Sequence, residues 1–197
     1  MKRPMSISYR GNNVIDFLPI FKRLNSELIA IGQSLELICV GGYVMQFHGY
    51  RGTVDVDAFF ESSVAIDIAI RKVGDEFNIN SPDELWLNNS VASKNSTPPP
   101  QYRELVHEYS HLVVMKVKLK YLLGMKLDSE RVQDIRDVAI ILKDNDYKQP
   151  FELFAELKNM GFNIDIAVLL DAYEQAYGMA WLEQFYIDNE SELQKLF

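Results

Sequence analysis

The chain has 197 residues, 48% of them hydrophobic and 24% charged, with a formal net charge of −8. That length and apolar content fit one compact domain, or one domain with a small helical extension, and the charge argues against a generally basic nucleic-acid binder. No apolar run approaches the ~20 residues of a membrane span, and the Met-Lys-Arg-Pro opening is not followed by the apolar region of a signal peptide, so a cytoplasmic protein without a membrane partner is expected.

The lone cysteine, Cys39, excludes a disulfide framework and a cysteine-rich zinc site. The charge is unevenly spread. Residues 111–136 carry six basic and three acidic side chains, a local +3, whereas from 137 onward four basic face twelve acidic ones. The acidic tail reads as solvated helix faces.

In chain order, Val14, Phe17, Leu18, Phe21, Leu24 and Leu28 recur at helical spacing over residues 13–31. Asn12 or Asn13 is the expected cap, Pro19 a kink or a first-turn residue, and Gly32 the stop. Leu37 to Val40 is a continuous apolar run of the kind a buried strand has, ended by Gly41-Gly42. Tyr43 to Tyr50 follows as about two helical turns closed by Gly49. After Arg51-Gly52-Thr53, Val54 to Phe60 reads as a strand whose period of two puts Asp55 and Asp57 on one face and Val54, Val56 and Ala58 on the other.

Like charges at alternate positions of an apolar strand are costly unless a cation sits between them. Two strand carboxylates suit a hard divalent ion such as magnesium, singly or as a bridged pair, and a glycine turn feeding a helix suits phosphate. Metal and phosphate together point to a nucleotide.

The stretch GGYVMQFHGYR followed by TVDVD resembles the signature of the polymerase-beta-like nucleotidyltransferase superfamily, in its bacterial branch of abortive-infection and toxin-type enzymes. The resemblance implies an α/β (α+β) nucleotidyltransferase fold: a small mixed sheet flanked by helices, with a helical C-terminal half. It implies that Gly41 and Gly42 line a triphosphate site, that Arg51 and Thr53 support it, and that Asp55 and Asp57 hold Mg2+, with two ions possible and an NTP as substrate.

Farther along, Ser62 or Ser63 caps a helix through about Phe77 with Val64, Ile68 and Val73 among its apolar positions. A short element ends in Leu85 to Asn89, and the Ser-Lys-Asn-Ser-Thr-Pro-Pro-Pro run at 93–100 is loop, either a mobile edge to the cleft or an ordinary connection. His111 to Val117 is a further strand. It carries no carboxylate where related enzymes place a third one, and Glu104 or Glu108 can serve only if the strand begins earlier. His107 and His111 lie four apart, a spacing that binds metal only on a helix. His48 either faces the cleft or packs the helix.

The run from Lys126 through Ser129, Arg131, Asp134 and Asp137 matches a second signature of the same branch. Asp134 and Asp137 share a helix face opposite Ile135, Val138, Ala139 and Leu142. Lys126 can neutralise triphosphate charge and assist the leaving pyrophosphate, and Arg131 can join it; alternatively Arg131, Asp134 and Asp137 form an ion-pair network. Phe151 to Leu157 reads as a helix stopped near Gly161, and Ile164 to Phe185 as one longer helix. Tyr173, Tyr177, Trp181, Phe185 and Tyr186 follow at helical intervals as a core or homodimer seam.

Residues 1–118 are expected to form the sheet domain and 119–197 a helical region. The expected activity is magnesium-dependent transfer of NMP from an NTP to an acceptor hydroxyl on tRNA, protein or a small molecule. The rival is a catalytically degenerate nucleotide-binding or protein-interaction module, one partner of a toxin–antitoxin pair, for which an antitoxin would be the partner.

Overall fold

The computed structural model describes residues 14–129 and 131–194, and divides the chain into two compact units that meet in sequence at Lys118 and Leu119. The described residues contain a five-stranded mixed sheet and nine α-helices.

In the first unit, α1 (Phe17–Ala30) starts at Asp16, whose carboxylate accepts the Leu18 N–H at 3.0 Å. Pro19 therefore stands in the first turn, where its missing N–H costs nothing. The two expected caps, Asn12 and Asn13, lie outside the described residues. Strands β1 (Leu35–Cys39), β2 (Val56–Phe59), β3 (Leu87–Asn88), β4 (Arg103–Glu108) and β5 (Leu112–Val117) order as β3-β2-β1-β5-β4. β1 runs parallel to β5 and antiparallel to β2; β2–β3 is parallel and β4–β5 antiparallel.

One face of this sheet presents Leu35, Leu37, Cys39, Val56, Ala58, Leu112 and Val114. Onto it pack Phe17, Ile20, Phe21, Leu24 and Leu28 of α1 and Ile66, Ala69, Ile70 and Val73 of α3 (Val64–Glu76). Fully burying each large apolar side chain contributes about 1.5–3 kcal/mol. Trp86 closes this core, stacked on Phe17 with ring centroids 6.2 Å apart and donating its indole N–H to the Ile70 carbonyl at 2.9 Å. Ser63 caps α3 through the Ile66 N–H, but Val64 and Ile68, expected to pack, stand 79% and 62% exposed. They lie on the far side of a helix whose contact stripe is Ile66, Ile70 and Val73.

Two strand expectations need correction. Asp55 precedes β2 in a bend rather than lying in it, because pairing with β1 and β3 begins at Val56. β4 was not anticipated: Arg103-Glu104-Leu105-Val106-His107-Glu108 is an edge strand interrupted by an irregularity between Leu105 and His107, and a polar edge carries little apolar signal.

The second unit is helical: α4 (Leu119–Ser129), α5 (Val132–Asp144), α6 (Pro150–Asn159), α7 (Ile166–Tyr177), α8 (Met179–Asp188) and α9 (Glu190–Leu193). The single helix expected over 164–185 is broken at Gly178, whose φ of 91° and ψ of 162° form a conformation essentially confined to glycine. Across that break the rings of Tyr173 and Trp181 stack at 5.4 Å, and within α8 those of Trp181 and Phe185 stack at 5.5 Å. Tyr186 is exposed. No helix of the described residues is long and apolar enough to cross a membrane.

Candidate functional site

The candidate site lies in the first unit, where β1 hands over to α2 (Gly41–Phe47) opposite the start of β2. Val40 is extended and donates its N–H to the Asp57 carbonyl at 2.9 Å, which continues the β1–β2 ladder one step and brings the glycine pair against the second strand. Gly41 then takes φ 55°, and a Cβ on it would lie 2.9 Å from Asp57 Oδ2. A Cβ on Gly42 would lie 2.4 Å from Thr53 Oγ1 and 2.8 Å from Thr53 Cβ. Neither position has room for a side chain. The glycines bring backbone into contact with Thr53 and Asp57, the close approach for which glycine is used.

Thr53 donates its hydroxyl proton to Asp55 Oδ1 at 2.7 Å. Asp57 stands between buried Val56 and Ala58 on the strand, so it points to the face opposite α1 and α3. Gly41, Gly42, Thr53, Asp55 and Asp57 are thus one constellation. Asp55 and Asp57 are both half-buried, so each keeps some access to solvent.

Gln46 organises this constellation and was not picked out from the sequence. Its amide donates to the Ile15 carbonyl at 2.7 Å and accepts the Thr53 N–H at 2.9 Å, fixing the loop that carries Thr53 and Asp55. The available clue was a two-headed amide among apolar helix positions, where it persists only with partners for both ends. α2 ends as expected at Gly49: the Gly49 N–H reaches Gln46 O and the Tyr50 N–H reaches Met45 O, a Schellman closure. Arg51 is half-buried and its guanidinium donates to the Gly52 carbonyl at 3.2 Å.

The β5 side chains on the Asp57 face are Val113, Met115 and Val117, all apolar. Glu104 does not supply a third acid. It pairs in register with Lys116, on the other face and three strands away from β2, and its carboxylate is bound by the Lys116 ammonium. Glu108 is on the same edge strand. Among the described residues, no group of three or more His, Cys, Asp and Glu side chains is placed to hold a metal. His107 and His111 fall on β4 and in the turn after it. His107 packs at 6.3 Å from the Phe21 ring, and burial lowers its pKa from the ordinary 6.5. His48 is exposed at the C-cap of α2: its Nε2 accepts from Lys116 Nζ at 3.3 Å, and its ring stacks on Tyr50. Burial, with the Asp57 charge adding to it, pushes the Cys39 thiol far up.

Lys126, Arg131, Asp134 and Asp137 belong to the second unit. Lys126 is 4% exposed, and its ammonium donates to Asp134 Oδ1 at 2.5 Å and Asp137 Oδ2 at 2.7 Å. Ser129 donates to Asp134 Oδ2 at 2.6 Å and Gln133 to Asp137 Oδ1 at 3.3 Å. The expectation that both acids face away from the packed stripe is corrected: Asp137 is wholly buried, because the lysine from α4 reaches in to neutralise it. The cation of this network is Lys126 and not Arg131, which is exposed at the N-cap of α5.

Compared with family models, with curated proteins and with solved structures, the chain shows no significant match.

Proposed function

We propose that this chain is a magnesium-dependent nucleotidyltransferase with the polymerase-beta-like fold, transferring a nucleoside monophosphate from an NTP to an acceptor hydroxyl. The observation that carries the reading is the contact of a side-chain-free Gly41-Gly42 turn with Asp57 and Thr53, beside Asp55. A turn without side chains next to carboxylates leaves backbone amides and metal-binding oxygens in one small space.

The donor set fits a single magnesium ion. Magnesium is commonly held by one or two carboxylates, with waters and substrate phosphates completing its shell, and Asp55 and Asp57 are two half-buried carboxylates. An ion held there would supply Lewis-acid polarisation of a phosphoryl oxygen. The chain's own contribution is positioning. Thr53 orients Asp55, Gln46 fixes the Thr53 loop, and the glycines keep the approach to Asp57 clear. In the transfer, the acceptor oxygen bonds to the α-phosphorus, the bond from that phosphorus to the bridging oxygen breaks, and pyrophosphate leaves with the electron pair. The hydroxyl proton passes to water. Arg51, half-buried and two residues before Thr53, would support phosphate charge. Lys126 and Arg131 enter the proposal only as cations of the second unit, Lys126 already holding two carboxylates.

One observation favours a second reading, a nucleotide-binding or protein-interaction module without turnover, such as one partner of a toxin–antitoxin pair. It is the apolar character of Val113, Met115 and Val117, where a third acid would have to stand. Both readings are tested by incubating the protein with each radiolabelled NTP and Mg2+ across tRNA, protein and small-molecule acceptors, beside calorimetric Mg–NTP binding. Labelled product lost in Asp57→Asn supports transfer. Binding without product supports the second reading, and no binding sinks both.

A further inference from the structure

We propose that a cavity of about 690 Å³ in the first unit is the acceptor pocket of this site. The pocket takes a small molecule carrying an aromatic ring, a hydroxyl and a protonated amine. The assignment rests on the nucleotidyltransferase reading above.

The cavity lies on the sheet face that carries Asp57. Its floor includes Ile38 and Phe59, a paired couple of β1 and β2, together with Val113 of β5. Phe59 stands two residues from Asp57 on the same strand and the same face, a separation of about 7 Å along the chain. A ligand lying on Phe59 therefore needs only the length of one substituted ring to bring a hydroxyl toward Asp57. The volume is that of a small-molecule site, which typically spans about 300–1,000 Å³.

One wall comes from the proline-rich connection that the sequence left as either a cleft edge or an ordinary link. Thr97 of that segment and Ala92, just ahead of it, line the cavity. The segment is tied down at both ends: Asn89 donates to the Phe60 carbonyl at 2.6 Å, and Arg103 donates through Nε to the Pro98 carbonyl at 2.7 Å. The connection is a built wall.

The lining chemistry selects the ligand. Phe59, Phe60 and His111 offer ring surfaces, and Ser34, Thr97 and Ser110 offer hydroxyls. The charged side chains are Glu36, Glu61 and Arg103, two carboxylates against one guanidinium, with Arg103 Nη1 3.6 Å from Glu36. One negative charge is left over, on a chain whose net charge is −8. A phosphate backbone has no matching cation here, whereas a protonated amine does have a matching carboxylate.

Two probes of nearly equal size, tyramine and 4-hydroxyphenylacetate, share the ring and the hydroxyl and differ in the sign of their charge. The full chain is titrated with each and followed by amide shifts. Mg2+ with each NTP is titrated separately by calorimetry. Tyramine is expected to shift the amides of Phe60, Thr97 and His111 and to bind about tenfold more tightly than the anion. Ala92→Trp, a change at an exposed position, is expected to fill the pocket and cut tyramine affinity about tenfold while leaving Mg–NTP affinity unchanged. Glu36→Gln with Glu61→Gln is expected to abolish the preference for the amine. Absence of these shifts, equal or tighter binding of the anion, or stronger shifts of the same amides by a single-stranded RNA oligomer overturns the pocket assignment. Tyramine binding in a protein that binds no Mg–NTP overturns the nucleotidyltransferase reading, and the acceptor role with it. Mg–NTP binding without tyramine binding overturns the pocket alone.

Discussion

Gly41 and Asp57 are in such close contact that a methyl group on the glycine would stand 2.9 Å from the carboxylate oxygen Oδ2. The neighbouring pair is tighter still, with 2.4 Å from a Cβ on Gly42 to Thr53 Oγ1. The Gly42→Ala variant must push Thr53 away, and since Thr53 Cβ would also be only 2.8 Å distant, rotating the hydroxyl does not relieve it. Overpacking of this kind costs about 1–3 kcal/mol. Urea denaturation should show that loss, and calorimetry should show Mg–NTP affinity falling by more than the stability loss explains.

Thr53→Val keeps the shape and removes the proton given to Asp55. The stability change should be small, about 1 kcal/mol. Mg–NTP binding should weaken because Asp55 is then free to rotate, whereas Thr53→Ser restores it. Equal binding in all three proteins would mean that Asp55 takes no part in the site.

Lys126 separates a structural role from a catalytic one. In Lys126→Met, the wholly buried Asp137 loses its cation, and breaking a buried pair from one side costs about 3–5 kcal/mol. The double variant Lys126→Met with Asp137→Leu should regain much of that, since no uncompensated charge remains. Thermal unfolding monitors both. Transfer activity that returns in the refolded double variant would remove Lys126 from the chemistry.

Glu27 links stability to pH. Hydrogen bonds from Lys72 and then Arg23 hold its carboxyl below the ordinary 4.5, against the opposing effect of burial. A carboxylate with a depressed folded-state pKa gives stability that is complete above its unfolded value and is lost as pH falls through the folded one. Below about pH 4.5 the stability curve should therefore fall, and Glu27→Gln should flatten that part of it. A mutant curve parallel to the wild type in this range would contradict the assignment.

Gly178→Ala tests the break in the second unit. No atom lies within 4 Å of the new Cβ, so only backbone strain acts, at about 1–3 kcal/mol. Tryptophan fluorescence should change with it, because Trp181 stacks across the break on Tyr173.

Much of the first unit was legible because its signals are local. The buried run at Leu37 to Val40, the glycine closure at 49 and the cap at Ser63 each act within one turn or strand. The parity that puts Asp57 opposite Val56 and Ala58 is equally local. Non-local facts were not legible. Asp55 falls outside β2 because partner strands, not its own neighbours, decide where pairing starts. β4 exists because β5 offers it an edge, and its own residues are mostly polar. The burial of Asp137 depends on a lysine eleven positions earlier, a pairing that helical periodicity alone cannot reveal. Gly178 shows the reverse error: a continuous apolar stripe on either side concealed a backbone conformation that only φ exposes.

Cys39 gives the protein an internal reporter. It is the only cysteine in the chain, it is 0% exposed, and it sits in β1, between β2 and β5 at the middle of the sheet. A maleimide reagent can reach it only when that sheet opens. The rate at which the native protein takes up one equivalent of label therefore counts the openings of the element that carries the glycine turn, with no engineered probe, and a ligand bound at Asp55 and Asp57 should slow it.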